Sequence, residues 1–271
     1  MINLPLAKKS LGQHWLTDNA ALQSICDAGK VTSQDTILEI GPGTGTLTTL
    51  LLQKAKQVIA VEFDPKLAND LNKNILHNNS EIPRMHLGKL RVVCQDILSF
   101  DLTQLASDYK VVANIPYYLT SNLIRTLSES TNPAATVVLL VQKEVAQRVA
   151  AQPGHMSLLS VSAQFYWQVT LGPVITARLF TPPPKVDSQV LILQRRHAPL
   201  YPEIEPKHFF RIVKAGYSSR RKTLLNSLSA GLRTDKDQIQ QLLLKVQISS
   251  NLRAQSLSLD DWYKLSQAIA I

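Results

Sequence analysis

The sequence predicts an α/β fold in which helices cover a mostly parallel, Rossmann-like sheet that ends in an antiparallel hairpin, with a small all-α domain after it. Between residues 36 and 193, short apolar runs alternate with segments of helical periodicity, which is typical of strand–helix–strand units. After Pro199 the strand pattern stops and only amphipathic helices follow. We therefore expect two domains, residues 1–199 and residues 200–271.

The composition indicates a globular protein that binds a polyanion. The chain has 271 residues, of which 45% are hydrophobic and 18% charged, so it can bury a sizeable core. Its formal net charge of +9 favours nucleic acid or an acidic membrane surface as the partner. No apolar run approaches the ~20 residues that cross a bilayer, so we expect no membrane span.

The cysteines and histidines indicate the redox compartment and whether a metal site is to be expected. Cys26 and Cys94 stand alone, without the spacing of a disulfide framework, which favours a reducing cytoplasm. The six histidines lack metal-ligand spacing, and we expect no metal site. We also expect a monomer.

The N-terminal segment combines positive charge with an aromatic side chain. Lys8 and Lys9 precede Trp15, and Asp18 is placed to cap a helix that runs through Ile25. A frayed basic terminus is the alternative interpretation, although frayed ends rarely keep a tryptophan. We interpret both lysines as candidates for phosphate contacts.

The first strand of the sheet ends in a glycine-rich turn. Residues Thr36–Ile40 form an apolar run that leads into Gly41, Gly43 and Gly45, at the strand end where open α/β sheets bind ligands. Glycines allow positive φ and the close approach of a ligand to the backbone. The dinucleotide fingerprint would need a glycine at Thr46 and a P-loop would need a lysine, so a nucleoside without a diphosphate fits better than NAD or ATP. A structural turn without a ligand is the alternative.

The next two strands each end near an acid. Val58–Val61 is followed by Glu62, and Leu90–Cys94 is followed by Asp96. A carboxylate after the second strand of such a sheet can accept hydrogen bonds from both ribose hydroxyls, and Asp96 can accept one from an adenine amino group. The alternatives are a helix-start acid for Glu62 and a turn residue for Asp96.

The fourth strand leads into a polar clamp. Residues 109–113 run into the tetrapeptide Asn114-Ile115-Pro116-Tyr117. The Asn114 side-chain oxygen and the backbone carbonyl of Ile115 or Asn114 can each accept one N6 hydrogen of adenine, and Tyr117 can stack on the ring. A strand end that turns at Pro116 is the alternative.

A triple-proline segment follows Phe180. It predicts a rigid platform that holds the Phe180 ring outward, and a core position for the ring is the alternative. The remaining predictions are helices at Pro65–Leu76, Leu119–Leu127, Lys143–Ala151 and Leu158–Tyr166, strands at Ala135–Val141, Val169–Ile175 and Gln189–Leu193, a long loop at His77–Lys89, and a capping box of Ser258 with Asp261.

The C-terminal part is basic. Residues 206–233 contain seven lysines and arginines and no acid, with Arg220, Arg221 and Lys222 at the centre. Beside the net charge of +9, this run predicts contacts with RNA phosphates, whereas a solvated helix face is the alternative. Residues 201–206, with two prolines, are predicted to be a linker.

Together these parts predict methyl transfer to an adenine. S-adenosylmethionine carries ribose, adenine and an amino acid but no phosphate, which agrees with the Gly-x-Gly-x-Gly turn. Asn114 and the Ile115 carbonyl would stabilise the positive charge that grows on N6 during the attack. Tyr117 and Phe180 would press on opposite faces of the base. Because asparagine is not a base at neutral pH, the proton leaves to solvent after the transfer.

Several motifs occur along the chain in a specific order: Gly12-Gln13 with Leu16, Glu39-Ile-Gly-Pro-Gly43, Glu62, Asp96, Asn114-Ile-Pro-Tyr117, Gln142-Lys-Glu-Val145, Leu159-Ser-Val161, the segment Phe180–Ser188, and Arg221-Lys-Thr-Leu-Leu-Asn226. With these motifs the chain resembles the ribosomal RNA adenine dimethyltransferase family. His14 stands where that family usually has Asn, and the Ile115 variant also occurs in the related Erm enzymes, which methylate 23S ribosomal RNA.

The resemblance implies a class I methyltransferase that converts two adjacent adenosines near the 3′ end of 16S ribosomal RNA to N6,N6-dimethyladenosine during small-subunit biogenesis. It implies target contacts at Asn114, Tyr117 and Phe180. The cofactor contacts implied for S-adenosylmethionine are His14, Leu16, Gly41, Glu62, Asp96 and Asn114, to which the glycine turn adds Gly43 and Gly45.

Other functions stay open at this point. An Erm-type enzyme would act on 23S ribosomal RNA, but the triple-proline segment and Arg221-Lys-Thr favour the small-subunit enzyme. A ribosome-assembly factor would bind RNA without methylating it, although pure binding needs neither the clamp nor the glycines. A nucleotide-linked dehydrogenase is disfavoured by the glycine spacing.

Overall fold

The computed structural model of the protein describes residues 4–78 and 84–269 and has the mixed α/β architecture that the sequence predicts. The strands are β1 (Trp15–Leu16), β2 (Thr36–Ile40), β3 (Gln57–Glu62), β4 (Leu90–Cys94), β5 (Lys110–Asn114), β6 (Thr136–Gln142), β7 (Trp167–Ile175), β8 (Phe180–Thr181) and β9 (Ser188–Arg195). The helices are α1 (Asn19–Ala28), α2 (Thr46–Lys54), α3 (Pro65–Asn78), α4 (Thr120–Ser128), α5 (Lys143–Val149), α6 (Leu158–Tyr166), α7 (Pro206–Tyr217), α8 (Leu224–Leu232), α9 (Lys236–Lys245) and α10 (Leu259–Ala268).

Seven strands form one sheet in the order β4-β3-β2-β5-β6-β9-β7. The pairs β2–β3, β2–β5, β3–β4 and β5–β6 are parallel, and β9 runs antiparallel to β6. The predicted mostly parallel sheet with an antiparallel pair is therefore confirmed. Strand order reverses between β2 and β5, and in such sheets the carboxyl ends of the strands on either side of the reversal open a crevice.

The central strands are mostly apolar because both faces of a parallel sheet are covered. The burial of residues Val137–Val141 in β6 is complete. Helices α1, α2 and α3 contribute Ile25, Leu51 and Leu71 to the same core cluster as Val112 of β5. This packing holds the turns at the carboxyl edge of the sheet on a rigid support.

Side-chain caps set several helix starts. The Asp18 carboxylate accepts a hydrogen bond from the Ala21 amide at 2.8 Å, so the predicted cap is confirmed, and the helix runs on to Ala28. Ser258 and Asp261 form the predicted capping box: each side chain accepts from the other residue's amide, at 3.1 and 2.9 Å.

One predicted loop is wrong in part. The segment His77–Lys89 contains the end of α3, which runs to Asn78, and a 3₁₀-helix at Arg84–Lys89. Residues 79–83 lie outside the described residues. Polar composition suggested a loop, but a polar helix end and a short 3₁₀ turn have the same composition.

The chain divides into two compact units. The first comprises residues 1–146 and 169–195, and the second comprises residues 147–168 and 196–271. The second unit thus takes in α6 as well as the four C-terminal helices. The functional boundary after residue 199 stays a prediction.

The second unit has its own aromatic core. Trp262 and Phe209 are fully buried in it, and Phe165 of α6 packs on Phe209 with ring centroids 4.6 Å apart. Tyr201, expected in a linker, is buried: its hydroxyl donates to Asp260 at 2.7 Å and its ring packs in the same cluster. The linker prediction is wrong at this residue, because the two prolines of the segment suggested an exposed linker whereas Tyr201 packs in the core.

No helix in the described part of the chain is both long and apolar enough to cross a bilayer.

Candidate active site

A cavity opens at the carboxyl edge of the sheet, within the first unit. Its volume is about 810 Å³ including the solvent at its mouth, and it brings together nine of the predicted site residues from five separate stretches of the chain. These nine are His14, Leu16, Gly41, Gly43, Glu62, Asn114, Ile115, Tyr117 and Phe180. Residues from β2, β3 and β5 meet here because parallel strands present their carboxyl ends at one edge.

The glycine turn after β2 needs its glycines for two different reasons. Gly41, Gly43 and Gly45 all have positive φ, at 65°, 57° and 83°. A side chain on Gly43 would place its Cβ 2.7 Å from the Trp15 ring, whereas a Cβ on Gly41 would meet nothing closer than 3.9 Å. The space beside Gly41 is thus open to a ligand.

The neighbours of Gly45 indicate a role in helix packing. Its Cβ would lie 2.8 Å from a side-chain carbon of Ile75, in α3, and Gly45 itself is outside the residues that line the cavity. The glycine lets α2 and α3 approach each other. A cofactor role for Gly45 stays a prediction.

Glu62 ends β3 at the floor of the cavity. One carboxylate oxygen accepts from the Gly43 amide at 3.1 Å and the other from the Asp64 amide at 2.9 Å. Burial raises the pKa of Glu62, and these two amide bonds partly offset that effect. A carboxylate has about four lone-pair sites, so Glu62 retains capacity to accept ligand hydroxyls.

Glu39 is a site residue that the sequence analysis missed. It lies in β2, is 1% exposed and lines the cavity, and its Oε2 has no hydrogen-bond partner in the described part of the chain. Burial raises the pKa of Glu39 to about 8. An acid inside an otherwise apolar strand was the available signal, because such a residue is costly unless something pairs with it.

Asp96 borders a second cavity of about 550 Å³ including open solvent. This cavity shares Gly41, Glu62, Phe63, Pro116 and Tyr118 with the first one, so the two adjoin each other at the sheet edge. One Asp96 oxygen accepts from the Leu98 amide at 2.9 Å and caps a 3₁₀ turn. The turn role, which was the alternative interpretation of Asp96, is therefore confirmed. Because Asp96 also borders a cavity, its ligand role stays a prediction.

The clamp after β5 is held by its aromatic residue. The Tyr117 hydroxyl lies 2.7 Å from Ser188 Oγ of β9, and burial raises the Tyr117 pKa. Asn114 is half-buried and Ile115 is buried, and both line the cavity. The clamp is thus fixed at both ends, by β5 and by the contact with β9.

Phe180 lines the cavity but does not point outward. It is 3% exposed, belongs to the core cluster and lines the cavity. The predicted outward platform is wrong. Strand β8 pairs with β1 (Leu16 opposite Phe180), and this pairing turns the ring inward.

The N-terminal segment crosses the mouth of the cavity. Lys8 Nζ lies 2.6 Å from Asp64, which is 4% exposed, and this ion pair holds the pKa of Asp64 below its usual range. Lys8 therefore has a protein partner in this structure, while Lys9 is exposed. In the second unit, Arg220, Arg221 and Lys222 are exposed between α7 and α8.

The described residues hold no group of three or more histidine, cysteine or acidic side chains placed to bind a metal ion. The acids at the cavity instead face a glycine turn and backbone amides. Burial raises the pKa of both Glu39 and Glu62, so a cation bound beside them would favour the ionised form of either carboxyl.

Three features together define a class I methyltransferase. They are the strand order of the sheet, the crevice where that order reverses, and the clamp that follows β5. The model of the ribosomal RNA adenine dimethylase family matches residues 5–270. The chain belongs to this family, and it is an S-adenosylmethionine-dependent ribosomal RNA adenine dimethyltransferase.

Curated relatives and solved structures agree with this assignment. The chain is 38% identical over 259 residues to the ribosomal RNA small subunit methyltransferase A of Dehalococcoides mccartyi strain CBDB1, covering 96% of this chain and 87% of the relative. It is 35% identical to the protein of the same name from Streptococcus gordonii, covering 97% and 91%.

Two solved structures share the fold over nearly the whole chain. A dimethyladenosine transferase from Plasmodium falciparum has a TM-score of 0.74 and 26% identity, covering 93% of this chain and 96% of that one. The 23S rRNA methyltransferase ErmE has a TM-score of 0.72 and 25% identity, covering 94% and 98%.

Proposed function

We propose that this protein transfers methyl groups from S-adenosylmethionine to N6 of two adjacent adenosines near the 3′ end of 16S ribosomal RNA, giving N6,N6-dimethyladenosine during small-subunit biogenesis. The observation that carries the proposal is the position of Asn114 and Tyr117 in one cavity with the glycine turn and Glu62. The names of the two curated relatives support the small subunit as the target.

The residues around the cavity fit the cofactor, which supplies an electrophilic sulfonium methyl. The unpaired Oε2 of Glu39 is a buried acceptor that a ligand ammonium group would satisfy. Glu62 would hold the ribose hydroxyls and Asp96 the adenine amino group. The open space beside Gly41 would admit the ligand against the backbone.

Electrostatics favour a cationic ligand at this place. Glu39, Glu62 and Asp64 are all buried at or beside the cavity, and Asp64 is paired with Lys8. Burial raises the pKa of Glu39 to about 8 and favours its neutral form in the free protein, so a bound sulfonium or ammonium cation would favour ionisation of this carboxyl. The product of methyl transfer has lost the sulfonium charge. We therefore expect the product to bind less tightly through charge than the substrate does.

Asn114 would orient a poor nucleophile. The adenine N6 lone pair is conjugated with the ring, and acceptance of its two hydrogens by the Asn114 side-chain oxygen and the Ile115 carbonyl would stabilise the charge that grows on nitrogen. The methyl transfer itself then requires mainly alignment, which can lower a barrier by roughly 7–11 kcal/mol.

Aromatic walls would hold the flipped base. Tyr117, fixed by Ser188, is proposed to stack on one face and Phe180 to close the other. A stacked base contributes roughly 1–3 kcal/mol, which is comparable with the few kcal/mol needed to take the base out of its stack. The exposed Lys9, Arg220, Arg221 and Lys222, together with Lys8 once its pairing with Asp64 is exchanged for phosphate, are proposed as RNA contacts.

The test is methylation of defined ribosomal particles. Purified protein is incubated with labelled S-adenosylmethionine and with small or large subunits from cells that lack the corresponding methylation, and the modified adenosines are mapped. We expect label on two adjacent adenosines of 16S ribosomal RNA. Label on 23S ribosomal RNA instead, the activity of the ErmE enzyme, would overturn the proposed target.

Asn114→Ala separates catalysis from binding. We expect kcat to fall by about 10²-fold or more, with the affinity for small subunits nearly unchanged, because Asn114 acts on the charge that develops at N6. Asn72→Ala, on the exposed side of α3, is the matched control and should keep wild-type kcat. Normal turnover with weakened RNA binding in Asn114→Ala would contradict the assigned role.

A further inference from the structure

His14 makes two contacts that no cofactor-binding role requires. Its Nδ1 lies 2.7 Å from the carbonyl oxygen of Pro182, and its ring stacks on Tyr117 with centroids 6.0 Å apart and an interplanar angle of 24°. Through these contacts one side chain touches both the triple-proline segment and the clamp.

The hydrogen bond between the His14 side chain and the Pro182 carbonyl extends the β1–β8 pairing by one residue pair. The register places Trp15 opposite Thr181 and Leu16 opposite Phe180, so the next pair in order is His14 opposite Pro182. Proline has no amide hydrogen to donate at that position. The imidazole of His14 supplies a donor of its own, which ties the end of β8 to the N-terminal segment.

The hydrogen bond also defines which ring nitrogen carries a proton. A carbonyl oxygen only accepts, so Nδ1 of His14 must be the donor to Pro182. In the neutral ring Nε2 is then an acceptor, and in the charged ring Nδ1 still donates, so the tie to Pro182 holds in both charge states. Nε2 is the atom left for a ligand.

The two contacts reach both walls of the proposed base pocket. Tyr117 is stacked on the ring directly, and Phe180 lies in the two-residue strand that ends next to Pro182. We propose that His14 is a positioning residue that couples the cofactor to the target base: a cofactor group bound at Nε2 orients the imidazole, which in turn orients Tyr117 and the segment that carries Phe180. This inference rests on the proposed function, because the cofactor and target-base roles come from there.

The consequence is a measurable coupling. A ligand that orders both walls must raise the affinity for the base, and the base must raise the affinity for that ligand by the same factor. We expect S-adenosylhomocysteine at saturation to tighten the binding of unmethylated small subunits by about 5-fold or more, which is at the lower end of typical couplings.

The experiment measures the Kd of unmethylated small subunits with and without saturating S-adenosylhomocysteine. In His14→Ala the coupling factor is expected to fall to about 1, while the Kd without S-adenosylhomocysteine changes less than about 2-fold. His14→Phe keeps a ring for Tyr117 and removes the donor to Pro182, and we expect it to lower the coupling factor at least about 2-fold. His155→Ala, an exposed histidine in the second unit, is the control and should keep the wild-type factor.

Three results would overturn the inference. The first is a wild-type protein without coupling. The second is a wild-type coupling factor in both His14→Ala and His14→Phe, and the third is equal weakening of RNA binding with and without S-adenosylhomocysteine, which a merely structural role would produce. Because this readout is binding, a wild-type protein that couples but labels another RNA would overturn the proposed target and leave the role of His14 in place.

Discussion

At the scale of single residues, the cavity depends on acids in unusual surroundings. Glu39 is buried in an apolar strand with one unpaired oxygen, while Glu62 is buried but accepts two backbone amides. Two glutamates beside one glycine turn therefore have different hydrogen-bonding surroundings. Of the two, Glu39 carries the clearer consequence for stability.

Glu39→Gln should flatten the dependence of stability on pH. Burial raises the pKa of Glu39 from 4.5 to about 8, so between these pH values the folded protein holds a proton that the unfolded chain has released. Its contribution then falls as pH rises, by about 1.4 kcal/mol in the free energy of unfolding per pH unit. Denaturant unfolding of the ligand-free protein at pH 5, 6 and 7 measures the difference.

The expected outcome is a Glu39→Gln variant that gains stability relative to wild type as pH rises over this range. Glu129→Gln provides the control, because the Glu129 side chain is 61% exposed and its ion pair with Arg125 is 3.8 Å long. Parallel stability curves for wild type and Glu39→Gln would show that Glu39 does not keep its proton in the folded state.

At the scale of elements, close helix packing in the second unit requires a glycine. Gly216 of α7 is buried, and a Cβ there would lie 2.3 Å from the Trp262 ring of α10. Trp262 is fully buried and rigid, so it cannot move away without opening the core.

Gly216→Ala should therefore destabilise the protein. Alanine is better than glycine in a helix by about 1 kcal/mol, but overpacking a core costs about 1–3 kcal/mol or more, and a contact at 2.3 Å is at the severe end. We expect a net loss in the free energy of unfolding, measured by denaturant titration. Gly88→Ala is the control, since its Cβ would meet nothing within 4 Å; equal stability of the two variants would contradict the packing argument.

At the scale of the whole molecule, charge is divided between a basic protein and an acidic cavity. The net charge of +9 favours a polyanionic partner, while the buried carboxyls of the cavity are proposed to face a cationic ligand. The exposed run Arg220-Arg221-Lys222 lies in a stretch of 28 residues, 206–233, that has no acid to compensate it.

Charge reversal at Arg221 and Lys222 should weaken RNA binding and reduce its salt dependence. Each lost phosphate contact releases one counterion fewer, so the slope of log K against log salt should fall by roughly 1 per contact. The control reverses Lys56 and Lys73, which are exposed on the first unit, and changes the net charge by the same amount. Equal slopes for the two double variants would mean that overall charge, and not this run, binds the RNA.

Much of the fold and part of the site follow from local sequence patterns. Strand–helix alternation, the glycine turn, the Asp18 cap and the Ser258–Asp261 box are all confirmed, because each depends on residues a few positions apart. The buried orientation of Phe180 was only the alternative to the predicted outward platform, and the anchoring of Tyr201 was not predicted. Both depend on packing partners that are distant in the sequence. The prolines near both residues are typical of exposed segments, so the local sequence predicted exposure.

By itself, the sequence determined the class of fold, the alternation of strands with helices and the position of the tetrapeptide Asn114–Tyr117 after a strand, since hydrophobic period and turn chemistry are local properties. Only the tertiary structure decided that His14 bonds to Pro182, 168 positions away, and that Lys8 pairs with Asp64. It also decided that Glu39 is left with an unpaired oxygen. The reason is physical: a hydrogen bond or a buried charge is defined by its three-dimensional neighbours, which the chain brings together only by folding.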